Sequence, residues 1–325
     1  MTTLPALLLR RLRHLSWAAV LSCASVAWAI SSNEPIQPVP LAHGQDPARV
    51  ALGRRLFQDT RLSGNGLTSC ATCHSGRHAG TDGRERPVAT RGSGSPFNTP
   101  TVLNAALNFR QFWDGRAGSL EAQVDAVLQN PHEMASRWED VVAKLAADAG
   151  YRAAFSATYQ DGVTRANVVN ALASYERALI TPGGRFDQYL RGRADALTPQ
   201  EKAGYARFKQ YGCVSCHQGV NVGGNMYQKF GVMGEPPSAT DTGRAGQGRS
   251  AVTGNPADRH VFKVPSLRNV AQTGPYFHDG SARTLDEAVD AMFRYQLGRT
   301  ASAADKAAIV KFLHTLSAPP LEPLP

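Results

Sequence analysis

Ser69-Cys70-Ala71-Thr72-Cys73-His74, echoed by Cys213-Val214-Ser215-Cys216-His217, is the stretch from which the fold is read. Each run is C-x-x-C-H. That pattern attaches a c-type haem: two cysteines form thioethers to the porphyrin and the histidine supplies the proximal iron ligand. A lone C-x-x-C would equally suit a redox dithiol or half of a zinc site, but the appended histidine, present twice, argues against both. The two motifs lie 143 positions apart in a chain of 325 residues, about one domain length, so one haem per domain is expected. They use four of the five cysteines and leave only Cys23, so no structural disulfide is expected.

The beginning of the chain reads as a leader. Arg10, Arg11 and Arg13 form a basic region, 15–26 is apolar, and Ala27-Trp28-Ala29 is an A-x-A cleavage signal, so 1–29 is expected to be a secretory signal peptide and the mature protein periplasmic. The apolar run is short for a membrane span. Val20-Leu21-Ser22-Cys23 has some likeness to a lipoprotein site, but the A-x-A signal is preferred and Cys23 leaves with the leader. Removing 1–29 takes away three arginines and no acid, lowering the formal charge from +9 to +6. The excess is spread along the chain without a Lys/Arg block, which argues against nucleic acid and for a modest preference for acidic partners.

A lead with Pro35, Pro38, Pro40 and Pro47 reads as extended linker, and Pro47–Phe57 as a helix entering the first motif. Thr198-Pro199-Gln200-Glu201 starts a matching helix before Cys213, with an N-cap, a proline at the first helical position and an acid in the first turn. Gly53-x-x-x-Phe57 matches Gly204-x-x-x-Phe208, which suggests duplication of a cytochrome c-like unit. Long Gly-rich loops are expected over 75–100 and 219–256, helices over 120–128, 136–147, 165–180, 285–297 and 302–316, and a crossover over 191–197. No strand-rich region is evident. The expected fold is all-α: two cytochrome c-like domains, 30–190 and 191–325, each with one haem and joined by long loops.

The sixth iron position decides whether a haem carries electrons or does chemistry. After His217 the candidates to fill it are Met226, Met233, His260, His278 and Met292, and spacing does not choose among them. Met292 lies on an expected helix beside Phe293 and Tyr295, where a core role competes. After His74 no methionine occurs until Met134, and His78 reads as a solvated loop residue, so the first haem has no evident sixth ligand.

Larger motifs then make the chain recognisable. Leu52-Gly53-Arg54-Arg55-Leu56-Phe57-Gln58-Asp59-Thr60-Arg61-Leu62-Ser63, Asn98-Thr99-Pro100-Thr101-Val102-Leu103-Asn104-Ala105, Phe112-Trp113-Asp114-Gly115-Arg116-Ala117, Val264-Pro265-Ser266-Leu267-Arg268-Asn269, Pro275-Tyr276-Phe277-His278-Asp279-Gly280 and Ala288-Val289-Asp290-Ala291-Met292 occur in order. Together they resemble the bacterial dihaem cytochrome c peroxidases over nearly all of 52–316. The resemblance implies that the first haem reduces hydrogen peroxide to water and that Glu133, in Asn130-Pro131-His132-Glu133-Met134, is the general acid/base. A carboxylate there can accept a proton from peroxide and return it to the leaving oxygen. It implies that Gln123 positions peroxide, that Met292 closes the second haem, and that Trp113 lies between the haems. It also implies a calcium ion held by Asn98 and the carbonyls of Thr273 and Pro275, a small cytochrome c or cupredoxin as electron donor, and a homodimer as the common assembly. Taken alone, Glu133 would read as a helix-capping acid, Gln123 as a surface residue and Trp113 as core.

One departure stands out. Many members carry a histidine in the loop before the Asn-x-Pro motif, which blocks the peroxide haem until the enzyme is half-reduced; here that position is Thr90, and no histidine occurs between His78 and His132. An open first haem without reductive activation is expected. Two other readings stand beside the peroxidase. A MauG-like enzyme would use peroxide to oxidise tryptophans of a partner protein, but that subgroup has tyrosine where this chain has Met292. A dihaem electron carrier would have two closed haems and no use for Glu133.

Overall fold

The computed structural model describes residues 34–88, 95–237 and 243–325; the expected leader 1–29, with Cys23, and Thr90 lie outside the described residues. Twelve α-helices are described: α1 Pro47–Phe57, α2 Cys70–Cys73, α3 Leu120–Gln129, α4 Trp138–Ala147, α5 Ala149–Thr158, α6 Arg165–Ala178, α7 Arg185–Leu190, α8 Pro199–Gln210, α9 Arg244–Gln247, α10 Ser250–Thr253, α11 Leu285–Ala291 and α12 Ala303–His314. Between them a short antiparallel pair, β1 Tyr227–Lys229 and β2 Val261–Lys263, joins the second Gly-rich loop to the segment before Val264. The expected all-α class holds. No helix among the described residues is long and apolar enough to cross a membrane.

Local chemistry sets the helix starts. Asp46 caps α1 by accepting from the amides of Ala48 and Arg49, with Pro47 at the first helical position. Thr198 and Glu201 form a reciprocal capping box at α8, as do Thr284 and Glu287 at α11. Five helices, α2, α5, α7, α9 and α10, lie outside those expected from the sequence. Asp148 caps α5 through the Tyr151 amide after a single residue of non-helical backbone, and α7 is only six residues long.

The duplication expected from Gly53/Phe57 and Gly204/Phe208 is visible in the packing. A Cβ on Gly53 would collide with the Ala171 carbonyl of α6 and sit 2.8 Å from Tyr175 Cβ; one on Gly204 would collide with the Ala308 carbonyl of α12 and sit 3.0 Å from Phe312 Cβ. Only glycine lets each helix pair cross this closely. Phe57 then packs 5.2 Å from Tyr175 and 6.4 Å from the His74 ring, while Phe208 packs 5.2 Å from Phe312 and 6.5 Å from His217. The repeat continues through left-handed Asn104 (φ 59°) and Asn269 (φ 60°), both fully buried, whose side-chain amides converge on the Thr181 hydroxyl at 2.8 and 3.3 Å. It extends to left-handed Phe112 and Phe277, each inside a turn closed by a bridge, Gln111 with Ala117 and Tyr276 with Ala282.

Two hydrophobic clusters follow from the repeat. The first runs from Val50 to Leu179 and takes in Cys70, Val124, Leu128 and Met134; the second gathers Phe186, Tyr205, Phe208, Val289, Phe293 and Phe312 around Cys213. The lead read as linker is part of the second cluster: Ile36 and Val39 are buried, and the Gln37 amide bonds the Gly219 carbonyl while the Gly219 amide bonds Pro35. A fully buried Arg268–Asp187 pair at 2.8 Å secures it, with Arg268 donating to the Gln37 carbonyl and Asp187 accepting from the Val39 amide. At the other end Leu324 packs on the first cluster and Pro323 accepts from the Tyr175 hydroxyl. Prolines spaced through 35–40 hide the two apolar anchors from any periodicity argument.

Candidate active site

At the first motif, α2 is a single turn, so Cys70 and Cys73, three apart, share a face and His74 ends the turn. The Ser69 amide donates to the Thr72 hydroxyl at 2.9 Å and holds that turn. His74 Nδ1 lies 2.8 Å from the Gly80 carbonyl, at a backbone position (φ 81°) that favours glycine. A carbonyl only accepts, so Nδ1 carries the proton and Nε2 presents its lone pair. Burial lowers the His74 pKa and keeps the ring neutral.

The second motif repeats this. Cys213 opens a 3-10 turn after left-handed Gly212, and His217 Nδ1 lies 3.3 Å from the Val222 carbonyl. Gly223 (φ 125°) admits the Pro265 carbonyl beside the same ring, and burial brings the His217 pKa down to about 4. Burial also pushes the Cys70 thiol up to about 12 and Cys73 and Cys213 to about 11. A redox dithiol needs the opposite shift. Among the described residues no three His, Cys, Asp or Glu side chains form a metal-binding group. Paired sulfurs beside a neutral imidazole with its outer nitrogen uncommitted fit a covalent haem c at each site.

Two of the expected residues lie close in the chain, Gln123 on α3 and Glu133 in the turn that follows it. Glu133 sits in the turn after α3, held by its amide on the Asn130 carbonyl and by Met134, whose amide bonds Val127 and whose carbonyl accepts from Gly64. Its charge is among those that act on the Cys73 sulfur of the first motif. Burial raises the Glu133 pKa, opposed chiefly by Arg116, whose Nη2 lies 4.0 Å from Oε1. Gln123, on α3, has a buried amide oxygen with no hydrogen-bond partner among the described residues. Such a group is costly to bury unless something donates to it.

Sequence reasoning passed over Arg116, although its motif was recognised. Its guanidinium lies 3.4 Å over the Phe112 ring and bonds Asp114 at 3.1 Å; Asp114, fully buried, also pairs with Arg244 of α9 at 3.2 Å. Trp113 and Asn98, read separately in the sequence, are joined: Trp113 Nε1 donates to the Asn98 carbonyl at 2.9 Å, and the Asn98 amide donates to His278 at 2.8 Å. That last bond ties Asn98 to the segment following Thr273 and Pro275. The Asn98 side-chain NH2 is spent on the Arg84 carbonyl at 2.8 Å.

The structure also narrows the sixth-ligand candidates. Met233 is 60% exposed, and His278, 3% exposed, stacks on Phe262 with ring centres 4.1 Å apart. Met292 begins the π-helical segment Met292–Leu297 that continues α11, next to Phe293, which packs 4.8 Å from Tyr211, two residues before Cys213. π-Helical turns recur at functional sites because they re-aim side chains. His78 is exposed, as expected of a loop histidine.

Cytochrome c551 peroxidase of Nitrosomonas europaea is 43% identical to this chain over 307 residues, spanning 94% of the chain and 90% of that relative. The chain belongs to the dihaem cytochrome c peroxidases. The family model described as di-haem cytochrome c peroxidase matches residues 47–195. The cytochrome c551 peroxidase of Pseudomonas aeruginosa is 41% identical over 272 residues, covering 82% of the chain and 78% of the relative. Among solved structures, a MauG-like protein associated with microbial copper homeostasis superposes with a TM-score of 0.76 at 29% identity, covering 90% of this chain and 95% of that one. This peroxidase therefore carries two haem c groups and reduces hydrogen peroxide.

Proposed function

We propose that peroxide is reduced at the haem of Cys70, Cys73 and His74, and that electrons enter at the haem of Cys213, Cys216 and His217, closed by Met292. The donor is a small cytochrome c or a cupredoxin. The observation that carries the first assignment is Glu133, its pKa raised and its charge acting on the Cys73 sulfur, in the turn that ends α3, the helix bearing the unpartnered amide oxygen of Gln123. When bound, the haem supplies the electrons, two of which with two protons turn one peroxide into two waters. Glu133 receives a proton from the near peroxide oxygen and delivers it to the departing one, and its raised pKa brings it closer to neutral working pH. Gln123 accepts a hydrogen bond from peroxide and so orients it. Arg116, fixed by Asp114, keeps Glu133 from becoming permanently protonated. Trp113 lies on the route between the sites.

The remaining assignments rest on the sequence. Residues 30–190 and 191–325 form two cytochrome c-like domains, calcium is held by Asn98, Thr273 and Pro275, and the leader directs the enzyme to the periplasm. With threonine at position 90, the enzyme works without prior reduction. Methionine at 292 speaks for the peroxidase over the MauG-like alternative. Steady-state peroxide consumption with reduced cytochrome c tests the proton assignment: Glu133→Ala is expected to lose at least about 100-fold, and unchanged turnover overturns it. Resting ferric spectra test the rest, since two six-coordinate low-spin haems with protein ligands would show that the first haem is closed.

A further inference from the structure

Lys263 ends β2 and is 7% exposed, yet among the described residues no carboxylate, carbonyl or aromatic ring engages its ammonium group. Lysine usually escapes burial by extending its charged end to water. Burial alone brings its pKa down to about 8, with no acidic group among the described residues close enough to hold its charge. Asp114, in the turn of Trp113, is committed to Arg116 and Arg244. An ammonium in so enclosed a place is costly without a counter-charge, and among the described residues none is supplied, so the site suits an anion.

Its position narrows that anion. The Lys263 amide donates to the Trp113 carbonyl at 2.8 Å, and Lys263 pairs with Tyr227 across the two-stranded ladder, so the two side chains share a face. Tyr227 reaches the Gly115 carbonyl at 3.2 Å and accepts from Arg249 at 2.6 Å, which puts that face against the 113–115 turn. Immediately after Lys263, Val264 bonds Gly224 and Met226, and the Pro265 carbonyl lies against Gly223 beside His217. Lys263 thus stands between the tryptophan turn and the proximal side of the second haem site.

We propose that Lys263 is the counter-charge for a propionate carboxylate of the haem held by Cys213, Cys216 and His217, and that it tunes the affinity of that haem for an electron. This rests on the reading of the second motif as a haem site. A fixed cation beside the porphyrin edge favours the ferrous state, which has one positive charge fewer. The inference assigns to a buried strand residue a part in setting the direction of electron flow.

The test uses the holoenzyme and redox titration of each haem. Lys263→Met keeps length and removes charge; it is expected to lower the ferrous-to-ferric ratio of the second haem at fixed poise about tenfold, equivalent to about 59 mV for one electron, with the first haem little changed. Lys263→Arg should recover most of the shift. An unchanged second haem, or a shift at the first haem alone, overturns the proposal. Should Lys263→Met fail to fold, diffraction from the wild-type holoenzyme decides: the ammonium within about 3.2 Å of a propionate oxygen supports the pairing, and propionates paired elsewhere refute it. Counting haem per chain separates the two levels, because two haems with no shift refute the lysine role alone, whereas one haem refutes the reading beneath it.

Discussion

Gly204→Ala is the perturbation whose outcome the packing predicts most sharply, because two effects oppose each other in sign. In a helix interior alanine is favoured over glycine by about 1 kcal/mol, so α8 taken alone would gain. The new Cβ, however, would collide with the Ala308 carbonyl oxygen and lie 2.7 Å from its carbon and 3.0 Å from Phe312 Cβ. The obstacle is backbone of another helix, so no rotamer relieves it. The helices must separate, opening the aromatic cluster in which Phe186 packs 4.8 Å from Tyr205 and 5.0 Å from Phe312. Overpacking of this kind costs about 1–3 kcal/mol, and the loosened ring contacts add to it. A net loss of about 2 kcal/mol is expected, and since α8 leads into Cys213, less haem per chain as well. Denaturant unfolding of the holoprotein measures the first and pyridine haemochrome the second. Gly53→Ala should behave alike through Ala171, whereas Gly183→Ala, with nothing within 4 Å, should be neutral. Gly204→Ala at wild-type stability or above would refute the close-crossing argument.

Three further outcomes are expected. Peroxide turnover should fall as pH drops through the Glu133 pKa, at a pH above the ordinary 4.5 because burial raises it, and Glu133→Gln should lose about 10²–10⁴-fold and the acid limb together in a pH–rate profile. Arg268→Met strands Asp187 in the core and should cost about 3–5 kcal/mol in urea unfolding, with Asp187→Asn in the same chain recovering part of the loss. Glu176 is 5% exposed, and burial pushes its pKa up from 4.5 to about 8, so the folded protein holds a proton that the unfolded chain releases. Stability is then lost as pH rises through that window, by up to about 1.4 kcal/mol per pH unit; melting temperatures from pH 5 to 9 should show this slope in wild type and not in Glu176→Gln.

Much of the fold is written in short-range chemistry. The helix start at Thr198 could be read because capping depends on residues three apart, and the Gly/Phe pairs because the same crossing is used twice. Glu133, Gln123 and Met292 could be named only through resemblance, since nothing local distinguishes them from a capping acid, a surface amide and a core methionine. The lead at 35–40 was misread as linker because its partners, Arg268 and Asp187, lie far along the chain and its own pattern is broken by proline. Arg116 and Lys263 drew no notice for a related reason: a charged residue reads as surface until burial shows otherwise.

By itself the sequence determined the reading of two attached haems, because C-x-x-C-H brings its sulfurs and imidazole together within one turn of backbone. It did not determine what faces each haem. Glu133 sits in a turn pinned to Gly64, Met233 is exposed, His278 stacks on Phe262, and Lys263 is enclosed at the end of a two-stranded ladder. Those choices depend on burial and on contacts between distant segments, and they make two copies of one attachment device into chemically different sites.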